Sequence, residues 1–122
     1  MTHFLVVDDS AIIRKVTRRM LEDRGFSVEE ANDGLEALNA CAARMPDAVL
    51  LDWNMPNMDG LSFLKALRAT PDGRSPKVVF CTTENGFDHV GEALQAGADE
   101  YLFKPFDQQT LEGKLSLVGV HP

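Results

Sequence analysis

The sequence predicts an α/β fold: a doubly wound sheet of five parallel strands in the order 2-1-3-4-5, with five helices over both faces. Three observations carry this expectation. Short apolar runs alternate five times with segments of helical periodicity. The middle runs are apolar without interruption, as strands covered on both faces should be. Acidic, hydroxyl and basic residues recur where those runs end, which is where open parallel sheets bind ligands.

The first strand is "HFLVV", residues 3–7. Ser10 is placed to cap a first helix, in which Ile13, Val16 and Met20 recur at helical spacing and which Gly25 stops. The second strand is "FSVEE", 26–30. Ala31, Leu35, Leu38 and Ala42 mark a second helix, ended before Pro46. The third strand is "AVLLD", 48–52, and Leu61, Leu64 and Leu67 mark the helix after it. The fourth strand is "KVVFC", 77–81, followed by a helix with Val90, Ala93 and Leu94 that ends at Gly97. The fifth strand is "EYLF", 100–103, and Leu111, Leu115 and Val118 mark the fifth helix. Right-handed crossovers leave few topologies for this order. In 2-1-3-4-5, strands 1 and 3 are neighbours at the point where the winding reverses.

The chain of 122 residues is expected to be one domain, 1–122, with no output domain after it. A formal net charge of -7 argues against nucleic acid or an anionic membrane as partner. No apolar stretch approaches the ~20 residues of a membrane span, and the N-terminus lacks the pattern of a signal peptide. Cys41 and Cys81 stand among apolar residues without C-x-x-C spacing, so buried thiols in a reducing cytoplasm are expected. His3, His89 and His121 share no ligand spacing.

The strand ends carry the chemistry. Asp8 and Asp9 follow the first strand, Asp52 ends the third, Thr82 and Thr83 follow the fourth, and Lys104–Pro105 follows the fifth. A parallel sheet gathers all of them on one edge. Two carboxylates about 4 Å apart repel by about 4 kcal/mol at an effective dielectric near 20, so the Asp8–Asp9 pair calls for a cation shared with Asp52. All-oxygen donors select a hard ion, and Mg²⁺ suits a few carboxylates plus phosphate oxygens. An aspartate beside such an ion can attack phosphorus and become an acyl phosphate. A cation, a lysine and a hydroxyl then neutralise the transferring oxygens. Asp52 is the candidate acceptor.

The segments "VVDDS", "LLDWNMPNMDGL", "CTTE" and "YLFKPF" together resemble the receiver domains of bacterial two-component response regulators, over essentially the full chain. The stretch "DWNMPNMDGL" is similar to the single-domain chemotaxis type. The resemblance implies a flavodoxin-like fold and a role for each matching position. Asp52 accepts the phosphoryl group. Asp9 ligates Mg²⁺ directly, Asp8 largely through water, and Asn54 through its backbone carbonyl. Thr82 and Lys104 contact the phosphoryl group, and Tyr101 turns inward with the threonine. Asn54 and Glu84 tune phosphate lifetime. Thr83 stands where the family usually has Ala or Gly, and a branched side chain there would narrow access to Asp52. Gly60 fits a tight turn opening the third helix, and Lys104–Pro105 is a candidate cis bond.

The implied partners are a histidine kinase or histidine phosphotransfer protein and an effector. The effector would be recognised by the face of the fourth helix, fifth strand and fifth helix. A monomer in the cytoplasm is expected. Arg14, Lys15, Arg18 and Arg19 give the first helix a basic face, with Arg18–Glu22 and Arg19–Asp23 as i,i+4 pairs; in the family this helix also docks the phosphodonor. The fourth helix has no Lys or Arg, and Gly86 and Gly91 weaken it, the mark either of a labile element or of a frayed start. A phosphate sink or relay intermediate shares this chemistry. A Mg²⁺-dependent phosphohydrolase would need an acid two residues after Asp52, and Asn54 cannot supply one.

Overall fold

Five strands pair in parallel in the order β2-β1-β3-β4-β5. They are β1 (His3–Val7), β2 (Ser27–Ala31), β3 (Ala48–Asp52), β4 (Lys77–Thr83) and β5 (Glu100–Lys104). Between and after them run α1 (Ala11–Glu22), α2 (Gly34–Ala43), α3 (Gly60–Arg68), α4 (Phe87–Gln95) and α5 (Gln108–Leu117). The computed structural model describes residues 2–83 and 87–122. Glu84 and Gly86 lie outside the described residues.

The sheet divides the core into two layers by strict alternation along each strand. Leu5, Val7, Val49, Leu51, Val78 and Phe80 face one layer, filled by Ala37 and Cys41 of α2, Phe63, Leu64 and Leu67 of α3, and Val90 and Ala93 of α4. Phe4, Val6, Leu50, Val79, Cys81 and Leu102 face the other, filled by Leu21 of α1 and Leu111 and Leu115 of α5. Cys41 and Cys81 are thus on opposite sides of the sheet, buried and free. Burial pushes their thiols up to about 11 and about 12, which leaves both neutral and inert.

Four helices begin on a side-chain cap just beyond a strand end. Ser10, Asp33, Asp59 and Asp107 accept the backbone N–H of Ile13, Glu36, Ser62 and Thr110 at 3.3, 2.9, 2.8 and 2.8 Å. Asp33 also corrects a boundary. Ala31, read from sequence as part of the second helix, is the last residue of β2 and pairs with Val7. The helix waits for the cap and starts at Gly34. At the other ends β4 and β5 run further than expected, so Thr82, Thr83 and Lys104 are strand residues and Thr83 pairs with Lys104.

The spacing of Ile13, Val16 and Met20 identifies α1 but not its inner face. Thr17 and Leu21 are its buried residues, whereas Ile12 and Val16 are 77% and 50% exposed. Arg18 and Glu22 pair at 3.2 Å as expected. Arg19 and Asp23 form no ion pair among the described residues.

Gly91 lies inside α4 and Gly113 inside α5, and an added Cβ at either would meet nothing within 4 Å. Gly91→Ala and Gly113→Ala are each expected to raise unfolding free energy by about 0.5–1 kcal/mol, measured by urea denaturation. A loss at either site would mean that the helix there is under constraint.

Candidate metal centre

The pleat decides which strand-end residues meet. Asp52 shares the parity of Leu50, and Lys104 that of Leu102, both of which face the α1/α5 layer. Asp8 continues the parity of Phe4 and Val6. All three therefore converge on the same side at the carboxyl edge of the sheet. The Lys104 Nζ donates to Asp8 Oδ2 at 2.6 Å and to Asp52 Oδ1 at 3.0 Å. To do so it spans β4, which lies between β3 and β5. The residue it crosses is Cys81, which pairs with Asp52 on one side and Leu102 on the other. A small neutral thiol leaves that path open.

Asp8, Asp9 and Asp52 each bring one carboxylate oxygen within 4.8 Å of the other two. Asp8 is buried and its Oδ1 accepts the Ser10 N–H at 2.9 Å. Asp9 is exposed and has no ion-pair partner among the described residues. Burial raises the Asp52 carboxyl above its ordinary range; the Lys104 charge opposes this and the Asp8 charge adds to it. Burial works against the charge on Lys104, but Asp8 and Asp52 outweigh it and raise its pKa. One ammonium thus faces three carboxylates. The deficit of positive charge, the all-oxygen donors and their mutual distances fit a hard divalent cation.

The loop after Asp52 is held by close backbone contacts. The Gly60 N–H donates to the Trp53 carbonyl at 2.9 Å, and a Cβ on Gly60 would lie 2.2 Å from the Asp52 carbonyl oxygen. Only glycine fits there. The Gly34 N–H donates to the Met58 carbonyl at 3.1 Å, and a Cβ on Gly34 would strike Met58 at 2.6 Å. Asn57, with φ 66°, donates through Nδ2 to Asp33 Oδ2 at 2.7 Å. The α2 cap therefore also anchors the loop that carries Asn54. The Glu36 N–H, with help from Asn57, holds the Asp33 carboxyl below its usual range. Asn54 itself is exposed on that loop.

The other expected site residues are placed differently. Thr82 has the parity of Phe80, not of Cys81, so alternation turns it to the α3/α4 side of the sheet. Tyr101 packs on that side too, with its ring 5.2 Å from Phe103 and the Lys114 ammonium 4.1 Å from its centroid. Among the described residues no side-chain hydrogen bond joins Thr82 or Tyr101 to Asp52 or Lys104. Thr83 is exposed on the α1 side and lines a groove there with Lys104. The Lys104–Pro105 peptide is cis.

Three features were not read from sequence. Trp53 stacks on His89 of α4, with centroids 4.2 Å apart and planes at 6°. Asn57 ties two loops together. Arg14, Lys15 and Arg18 converge on Glu30 of β2, with the closest contacts at 3.1, 2.9 and 2.9 Å. Against the cost of burial, Lys15, Arg18 and Arg14 hold the Glu30 carboxyl down at about 2. Four charges at helical spacing opposite a strand acid were the available signal for this last cluster.

Comparison with known proteins agrees with the fold. A family profile described as response regulator receiver domain matches residues 4–116. Chemotaxis protein CheY-3 of Vibrio cholerae serotype O1 is 39% identical over 115 residues, spanning 93% of this chain and 88% of that protein. Response regulator MprA of a Mycobacterium species is 44% identical over 111 residues, which are 91% of this chain and 47% of that protein. The crystallised chemotaxis protein CheY4 of Vibrio cholerae superposes with a TM-score of 0.91 at 37% identity, covering 97% of this chain and 98% of that one. Among the described residues no helix is long and apolar enough to cross a membrane.

A cation held by these carboxylates in the folded state alone stabilises that state by mass action, about 1.4 kcal/mol at ten times its Kd. Addition of Mg²⁺ is expected to raise the melting temperature in a saturable way. Asp9→Asn should remove most of that rise, and its metal-free melting temperature should lie at or above that of the parent because one unbalanced carboxylate is gone. An equal rise in both proteins would place the ion elsewhere.

Proposed function

The chain belongs to the response regulator receiver family, and on that premise we propose that it is a phosphorylation-controlled signalling protein of chemotaxis type. Asp52 takes a phosphoryl group from a histidine kinase or histidine phosphotransfer protein, with Mg²⁺ as cofactor, and the modified protein changes its binding to an effector in the cytoplasm. The supporting observation is the Lys104 ammonium held at 3.0 Å from Asp52 beside two further carboxylates. An Asp52 oxygen attacks phosphorus in line with the departing donor atom. From a phosphohistidine, the P–N bond breaks, its electron pair stays on the imidazole nitrogen, and that nitrogen takes up a proton. Lys104 is placed to neutralise one phosphoryl oxygen. Asp8, Asp9, Asp52 and the Asn54 carbonyl would hold Mg²⁺, which when bound neutralises developing charge on the phosphoryl oxygens. Thr82, from the opposite face, would reach the phosphoryl group only by moving across the strand end. Tyr101 packs on the same face and is placed to follow. Thr83 would restrict entry, and Asn54 and Glu84 would set lifetime.

The apolar stripe of α1 supports a docking site for the phosphodonor. Ile12, Ile13, Val16 and Met20 line a groove of about 440 Å³ with Pro105 and Phe106, opening beside Lys104. Exposed apolar surface next to the reactive aspartate suits a helical phosphohistidine carrier. The effector face would be α4, β5 and α5, where Tyr101, Glu100 and Lys114 meet.

Incubation with a small acyl phosphate and Mg²⁺ is expected to add one phosphoryl group by mass, and none in Asp52→Asn or without Mg²⁺. Continuous turnover of varied phosphate esters would instead mark a phosphohydrolase. A stable phosphoryl mimic that alters no partner binding would favour a sink.

Ile12→Asp and Val16→Asp are expected to slow transfer from a phosphohistidine protein by about tenfold, the equivalent of about 1.4 kcal/mol of docking energy. Labelling by the small donor should not change. Equal slowing of both reactions would assign α1 to the chemistry rather than to docking.

A further inference from the structure

Arg14 belongs to α1, yet its guanidinium serves the loop before that helix. Nη1 donates to the backbone carbonyl of Asp8 at 2.6 Å and to Asn32 Oδ1 at 3.1 Å. Nε donates to Glu30 Oε1 at 3.1 Å. The side chain is only 16% exposed, and Glu30, at 12%, is itself fixed through its other oxygen by Lys15 and Arg18, each at 2.9 Å. The fork is therefore aimed from behind by a strand acid and a loop amide, and Nη1 shares its two hydrogens between that amide and one carbonyl.

That carbonyl belongs to the peptide joining Asp8 to Asp9. The same peptide plane carries the Asp9 N–H, so its orientation sets the Asp9 backbone. Every other handle on Asp8 is also taken. Its N–H donates to the Ala31 carbonyl at 3.1 Å, one carboxylate oxygen accepts from Ser10 and the other from Lys104. Among the described residues Asp9 has no such partners, so what orients it there must act through the backbone. We propose that Arg14, oriented by Glu30 and Asn32, is a positioning residue that fixes the Asp8–Asp9 peptide and so presets the Asp9 carboxylate for a divalent cation. This inference rests on the metal-site reading above.

Charge and position make opposite predictions for Arg14. As a bare positive charge near an acidic cluster it repels a second cation, so its removal would tighten metal binding. As a clamp on the ligand-bearing peptide it favours binding, so its removal weakens it. Lysine keeps the charge but cannot bond the carbonyl and Glu30 at once, because it lacks the planar fork.

The test is a Mg²⁺ titration followed through the backbone amide NMR signals of Asp9 and Asp52, in the parent, Arg14→Lys and Arg14→Gln, with melting temperatures recorded without metal. Both variants are expected to raise the Mg²⁺ Kd by about tenfold, the scale of outer-shell partners of metal ligands. At saturating Mg²⁺ the rate of labelling by a small acyl phosphate should return to the parent value, because only occupancy is impaired. If Arg14→Gln fails to fold, Arg14→Lys carries the same expectation. Tighter or unchanged binding in a folded variant overturns this inference and leaves the metal site standing. No saturable response in the parent overturns both.

Discussion

One ammonium stands between carboxylates from strands that are distant in sequence, and the edge of the sheet is organised around it. Lys104 reaches Asp8 and Asp52 across the width of β4. Neither acid could be buried beside the other without it, since like charges at this separation cost several kcal/mol in a poorly hydrated site. Yet it balances only part of the negative charge. The fold thus supplies enough positive charge to persist and leaves the remainder for a cation from outside. The raised Asp52 pKa expresses the same tension, since burial opposes ionisation of a carboxylate already short of positive charge.

Strand pleating separates two tasks. Asp8, Asp52 and Lys104 occupy the α1/α5 side, with the apolar groove of α1 beside them. Thr82 and Tyr101 occupy the α3/α4 side, as does Trp53, which stacks on α4 through His89. The two sets are neighbours along the edge but lie on opposite faces. The two sets come closest at the end of β4, where Cys81 and Thr82 face opposite ways.

Rigidity around the edge comes from backbone contacts that few side chains would allow. Gly60 lies against the Asp52 carbonyl and Gly34 against Met58, so the loop after Asp52 is packed between β3 and the start of α2. The Asp33 cap and Asn57 close the same junction with hydrogen bonds. On the other side Arg14 closes the β1–α1 loop. The ligand-bearing loops are short and pinned at both ends, which lowers the entropy lost when their carboxylates are drawn together.

The alternation of apolar runs and helical spacings by itself determined the element order and a parallel sheet, and the polar residues at the strand ends determined which side chains share an edge. Both follow from local periodicity and chain direction, which a sequence records. Segment limits at Ala31, Thr83 and Lys104 were not legible, because they depend on caps and on pairing with a neighbouring strand. Nor was the face of each residue. Val16 has the spacing of a core residue but lies outside, and Thr82 is near Asp52 in projection but on the other side of the sheet. Only the packed structure decided that Arg14 and Glu30, 16 residues apart, would meet behind Asp8. Such contacts arise from the distance and angle between α1 and β2, set by the whole core and not by any one stretch of chain.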